Sequence, residues 1–306
     1  MRNNLVLITI LFCCVSCHKD SINSDSICIN LPPSPSIGWT YLIDTPNYSF
    51  PFFNPNNPSE IIFQKKNYSA ANTVLYRFNL LTKQKSILFT GENLYQPKWG
   101  KNGWILLNTS DNNIWKIKED GNSLIQLTYN STSFAPEWNQ ACDKIAYFKS
   151  DGISHKLFIM DENGNNIDSA TNYFSSQSCW RHPNLIATIT PLNLIVIDPI
   201  ADTVKILHEI NTGIFGGAYW LSDHENIIWS YEEGIFITNC ITKATHCINA
   251  SCNTRTYLFP TYAPQTNKVI FNKVEKKAIN ATEVKVSSKL YIMNVDGSGE
   301  SELDLN

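Results

Sequence analysis

The chain has 306 residues, more than the roughly 100–200 of one ordinary domain, so it holds two domains, one large β-architecture or a repeat array. Charged residues are 17% of the chain, hydrophobic ones 43% and aromatic ones 12%, a balance that excludes a disordered chain or a coiled coil. Lys and Arg number 24 against 27 Asp and Glu, a net charge of −3, and with no basic cluster to track phosphates nucleic acid is excluded as a partner.

The first element is an address. Arg2 precedes the apolar run Leu5–Phe12, too short to span a bilayer and the right length for the core of a signal peptide. Cys13-Cys14-Val15-Ser16-Cys17 follows and resembles the lipobox of bacterial lipoproteins, with Cys14 where that box carries Leu. The resemblance implies cleavage after residue 16 and acylation of Cys17, which would anchor the chain to a membrane without spanning it. No later apolar stretch reaches about 18 residues, so the remainder is expected to lie outside the cytoplasm. Residues 17–37 are polar and then Pro-rich and read as a tether. Lys19-Asp20 resembles, thinly, a surface-export signal of Bacteroidetes lipoproteins; periplasmic and surface faces of the outer membrane both stay open.

Gly38–Asp44 reads as a strand that pairs into the last repeat and closes a ring. The alternative gives that edge to Glu302–Leu305. A repeat then begins. Phe53, Trp99, Trp138, Trp180, Trp220 and Tyr262 are separated by 46, 39, 42, 40 and 42 residues, a period of the kind repeat architectures show. Each aromatic is followed by a short β-forming run: Ile61–Phe63, Trp104–Leu107, Lys144–Phe148, Leu185–Ile189, Ile227–Trp229 and Val269–Phe271. A third run comes next, as in Leu75–Phe78, Ile114–Ile117, Leu157–Met160, Leu194–Ile197, Gly234–Ile237 and Leu290–Met293. Hairpin turns with Gly121, Gly164 and Gly297 lead to a more polar fourth strand. Four antiparallel strands repeated six times, with no helical period, predict an all-β, six-bladed β-propeller over residues 38–306. Its outermost strands should be polar, because they meet water and must resist edge pairing.

Pro136-Glu-Trp138, Lys144–Phe148, Lys156–Gly164 and Leu290–Gly297 resemble the TolB-type propeller repeat, strongly in the second, third and sixth units and weakly in the others. TolB carries an α/β domain before its propeller, and residues 17–44 cannot supply one, so the resemblance implies the ring but not TolB's partners.

Six cysteines follow Cys17, and outside the cytoplasm they can pair. Cys240 ends a third strand and Cys247 lies in the fourth, so a Cys240–Cys247 bridge is expected, with Cys252 as the alternative partner of either. There is no Cys-x-x-Cys for zinc. The histidines fall on different rims, His182 and His224 in turns after first strands, His208 and His246 in outermost strands and His155 between strands. No metal site, cofactor or catalytic group is therefore expected. Asp161–Asp168 is dense in oxygen ligands, but the same turn recurs with other acids, which points to turn chemistry rather than calcium.

The loops entering the first strands are rich in aromatics. Tyr95, Phe134, Tyr173, Phe174, Phe215 and Tyr257, with Arg255 beside the last, would ring one channel mouth and suit stacking on sugars or gripping peptides; the competing reading has these rings plugging the channel. The expected function is a non-catalytic binding or scaffolding module, a monomeric ring at the cell envelope with a protein or glycan ligand. A propeller lyase or hydrolase with a site at the channel mouth is the alternative.

Overall fold

The computed structural model describes residues 38–43, 47–67, 72–92, 94–152, 155–172, 178–210, 215–252 and 254–305. The signal, Cys17, Cys28 and the tether lie outside them. The β-forming runs of the six repeats lie in strands, and among the described residues there is no helix. Strand β1 spans Thr40–Ile43. Blade 1 is β2 (Asn47–Phe53), β3 (Glu60–Asn67), β4 (Asn72–Asn79) and β5 (Lys85–Glu92); blade 2 is β6 (Tyr95–Trp99), β7 (Trp104–Asn108), β8 (Ile114–Lys118) and β9 (Ile125–Gln126). Blade 3 is β10 (Ser133–Trp138), β11 (Lys144–Ser150), β12 (His155–Asp161) and β13 (Asn166–Asn172); blade 4 is β14 (Ser178–Cys179), β15 (Ile186–Ile189), β16 (Asn193–Asp198) and β17 (Thr203–Glu209). Blade 5 is β18 (Phe215–Trp220), β19 (Asn226–Tyr231), β20 (Gly234–Asn239) and β21 (Thr245–Ala250); blade 6 is β22 (Arg255–Ala263), β23 (Lys268–Ala278), β24 (Glu283–Asn294) and β25 (Ser301–Glu302). Within each blade the strands pair antiparallel in chain order, which makes a six-bladed β-propeller of four-stranded blades.

The period of aromatics has a packing cause. Phe53, Trp99, Trp138, Trp180, Trp220 and Tyr262 are all buried at the ends of the inner strands, where one blade's face meets the next. Burial then falls outward: β7 is buried along most of its length, whereas β5 is exposed or half-exposed throughout. Water rather than a neighbouring blade faces that outer strand, and Lys and Glu there discourage edge pairing.

The prolines ahead of these aromatics mark a repeated bulge. Phe50, Gln96, Ala135 and Phe259, each directly before a proline, adopt φ of 51, 48, 50 and 55°, and the inner-strand register slips at each of these points. Blade 5 slips at the same place, between Phe215 and Ala218. A proline has no N–H to give the ladder, so a bulge is where it fits. The kink re-aims the residue after the proline toward the channel.

The hairpin glycines do more than turn. A Cβ on Gly121, Gly164 or Gly297 would stand 2.8, 2.8 or 2.4 Å from the carbonyl oxygen of Leu88, Leu127 or Ile248, each in the outer part of the preceding blade. With φ of 85, 90 and 85°, these turns also need a left-handed residue. Gly297→Ala should therefore cost about 1–3 kcal/mol through both strain and overpacking. Urea denaturation checks this, and an unmoved midpoint would contradict it.

Both candidates for the last blade's edge are used. β1 pairs parallel with β24 at Glu283–Val286, and β25 pairs antiparallel with the same strand at Tyr291 and Ile292. The four residues of β1 are exposed, so the seam between blades 6 and 1 is held mainly deeper in. There the Tyr48 carbonyl accepts from Asn272 Nδ2 and Ser288 Oγ, both at 2.7 Å. Asn272 Oδ1 accepts the Phe50 N–H at 2.9 Å, and Thr261 Oγ1 donates to the Pro51 carbonyl at 3.3 Å.

The cysteine expectation is overturned. Cys247 and Cys252 are the disulfide-bonded cysteines, and Cys240 is a free thiol. The register explains it. Cys247 lies opposite Phe236 in the β20–β21 ladder, and Cys240 sits four residues farther along, about 13 Å at strand rise. A disulfide tolerates about 7 Å between Cα atoms.

Candidate functional site: the channel and its exit mouth

The residue just before each periodic aromatic supplies one inner side chain per blade: Phe52, Lys98, Glu137, Cys179, Tyr219 and Thr261, all buried. Phe52, Lys98, Glu137 and Tyr219 pack against one another across the ring as a plug. Lys98 and Glu137 form an ion pair at 2.7 Å with side chains 2% and 0% exposed. Lys98 Nζ also donates to the Ser178 carbonyl at 3.0 Å and lies 5.4 Å from the Phe52 ring centre. The Phe52 ring meets Tyr219 edge-on at 5.9 Å. Burial, and then Glu137, push the Cys179 thiol up to about 12, which leaves it protonated and unreactive at neutral pH.

Above this plug the inner strands end and their outgoing turns frame an open cavity of about 490 Å³. All six blades contribute to it: Asn54 and Asn56, Lys101, Gln140, Arg181, the Tyr219–Ser222 stretch with His224, and Tyr262 to Gln265. Arg181 lies at the boundary of plug and cavity. It donates to the Trp99 carbonyl at 2.8 Å and places its guanidinium 5.5 Å from the Phe52 ring centre and 6.0 Å from that of Tyr219. The rim amides are braced, with Asn56 Nδ2 on the Lys101 carbonyl at 3.0 Å and Gln265 Nε2 on the Pro55 carbonyl at 3.1 Å.

The histidines converge more than the sequence suggested. His182 and His224 meet edge-on at 5.5 Å, and His182 lies 4.8 Å from the Trp220 ring centre. Burial, then the neighbouring His224, hold the His182 imidazole below its ordinary value, and burial does the same to His208. His182 Nδ1 accepts the N–H groups of Asn184 and Leu185, both at 3.1 Å, a role that protonation abolishes. A lowered imidazole pKa means that the unfolded chain binds protons first, so stability is lost as pH falls below about 6.5. The thermal midpoint should drop between pH 7 and 5, and His182→Asn, which keeps an acceptor in the turn, should flatten the slope. An unchanged slope would exclude His182 as a cause.

Of the residues singled out by the sequence at the opposite, entry mouth, the described ones differ in burial. Tyr257 is buried, with the Arg255 guanidinium 5.6 Å from its ring centre. Phe134 stacks on Phe148 and meets His155 edge-on, whereas Tyr95 is exposed. Tyr173, Phe174 and the side chain of Phe215 lie outside the described residues. Tyr257 and Phe134 thus pack against neighbouring side chains. The exit-mouth groups escaped notice because each blade supplies only one to a few unlike side chains. Their shared place just past the periodic aromatic was the available signal.

Among the described residues no group of His, Cys, Asp and Glu could hold a metal ion. Asp161 instead accepts the backbone N–H groups of Asn163 and Asn165 and the Asn165 side chain. These bonds hold its carboxyl below the usual range.

No protein-family profile and no curated protein match the chain. Solved structures do. A TolB from Agrobacterium tumefaciens superposes with a TM-score of 0.61 at 14% identity, over 76% of this chain and 88% of that one. The β-propeller domain of the Trilobed protease from Pyrococcus furiosus gives 0.53 at 14% identity over 85% of each chain. An oligogalacturonate lyase in complex with manganese gives 0.54 at 10% identity over 84% of this chain and 76% of that one. Likeness at such identities extends to architecture alone: the chain has the fold of the TolB-like six-bladed β-propellers.

Proposed function

We propose that this chain is a non-catalytic binding module of the cell envelope, held at a membrane by acylation of Cys17, whose ring seats a protein segment or glycan in the exit-mouth cavity. The observation that carries the reading is the open cavity of about 490 Å³ to which every blade contributes. A ligand entering it meets aromatic walls, braced amides and a fixed cation, the mixture that small recognition sites use. The TolB-like architecture supports an envelope setting, and the signal and lipobox-like sequence supports the anchor.

A glycan and peptide array probed with the purified chain tests this reading. Bound probes should be lost on Gln140→Trp, which fills the cavity from the rim, and retained on Tyr95→Ala at the entry mouth. Loss through the Tyr95 variant alone would move the site. Turnover of a bound probe would make the protein an enzyme.

A further inference from the structure

The charges around the channel do not cancel. Glu137 pairs with Lys98 and also attracts Arg181 from beyond contact, but among the described residues no carboxylate forms an ion pair with Arg181, and Arg181 Nε has no hydrogen-bond partner. Two more residues of the lining, Trp220 and His224, each carry a ring nitrogen (Nε1 and Nδ1) that is buried without a partner. The described lining contains two basic side chains, Arg181 and Lys101, and no Asp or Glu. This stands out in a chain whose net charge is −3. Guanidinium cannot shed its proton, so a buried edge with nothing to donate to carries a lasting penalty that an anion would remove.

We propose that the exit-mouth cavity is a carboxylate-binding site in which the free edge of Arg181 receives the carboxylate and the Trp220 and His224 side chains line its approach. The inference rests on the binding reading above and narrows it to the ligand's anchoring group. Two features select an organic carboxylate over an inorganic anion. The planar guanidinium fork matches a carboxylate, and the rings of Tyr219, Trp220 and Tyr262 offer apolar faces that a free ion cannot use but the body of an organic acid can. Preformation helps, because Arg181 is already pinned on the Trp99 carbonyl and little further ordering accompanies binding.

Calorimetric titration of the full chain tests the assignment. The probes are D-glucuronate against methyl glucoside, and an acetylated dipeptide with a free C-terminus against its amide, with sodium sulfate as competitor. At least one carboxylate probe should bind about tenfold or more tightly than its neutral partner; which pair discriminates tells a sugar acid from a chain terminus. Arg181→Lys, which keeps the charge and removes the fork, should weaken that probe by about tenfold, and Tyr95→Ala should not. Should the Arg181 variant fail to fold, the Nε–H resonance of Arg181 in the unaltered chain still reports, because it should shift and saturate with the probe. Equal binding of neutral and charged partners at the mouth would leave the binding function standing and overturn the carboxylate assignment. So would sulfate competing as well as the carboxylates. No binding of any probe, with an unmoved Arg181 resonance, would also overturn it, whereas array ligands lost on Gln140→Trp would still sustain the broader reading.

Discussion

Glu137→Ala is expected to destabilise the ring by about 3–5 kcal/mol, because it leaves the Lys98 ammonium buried without its counter-charge. Lys98→Met should cost a similar amount by stranding the carboxylate. The combined Lys98→Met, Glu137→Leu variant should return to within about 1 kcal/mol of the original protein, since the desolvation of both charges disappears with the pair. Both side chains are almost completely sealed, and the one further acceptor that Lys98 reaches is the Ser178 carbonyl. Neither partner can relax toward water. A thermodynamic cycle from chemical denaturation measures the coupling. Additive single effects would mean that the contact is incidental to the plug.

The second large effect is expected at the seam where the ring closes. Asn272 joins blade 6 to blade 1 by donating to the Tyr48 carbonyl and accepting from the Phe50 N–H, while bonding Ser288 within its own blade. Asn272→Ala leaves the Phe50 donor unmet in the interior and should cost about 2–3 kcal/mol, which lowers the thermal midpoint by roughly 5–10 °C. Deleting residues 38–43 removes a strand whose side chains are exposed, and its effect should be several-fold smaller. If the deletion proves the costlier of the two, closure depends on the N-terminal strand rather than on the buried clamp.

The ring was legible in the sequence because its packing repeats. Every blade must fill the same gap beside its neighbour, so an aromatic recurs near each forty-second residue, and the turn glycines recur where a neighbour's carbonyl comes within van der Waals range. The channel was not legible, because its position repeats while its chemistry does not. Phe52, Lys98, Glu137, Cys179, Tyr219 and Thr261 occupy one register and share no property beyond facing the axis. The ion pair joins residues 39 positions apart in adjacent blades, a partnership that no local motif encodes. Cys240 and Cys247 looked adjacent in a hairpin, but the ladder sets Cys247 against Phe236. The aromatic loops drew attention by composition, and only tertiary burial separates Tyr257, inside the protein, from Tyr95, outside it.

The plug and the cavity together give the functional proposal its shape. In the proposed binding mode a ligand sits in the exit-mouth cavity, where Arg181 sets its orientation. Hydrogen exchange on the ring with and without an array-identified ligand tests this most directly. The expected result is slowed exchange in the exit-mouth turns, at residues 219–224 and 262–265, with the entry loop around residues 129–134 unchanged. Protection confined to the entry loop, or spread evenly over the outer strands, would contradict an exit-mouth site.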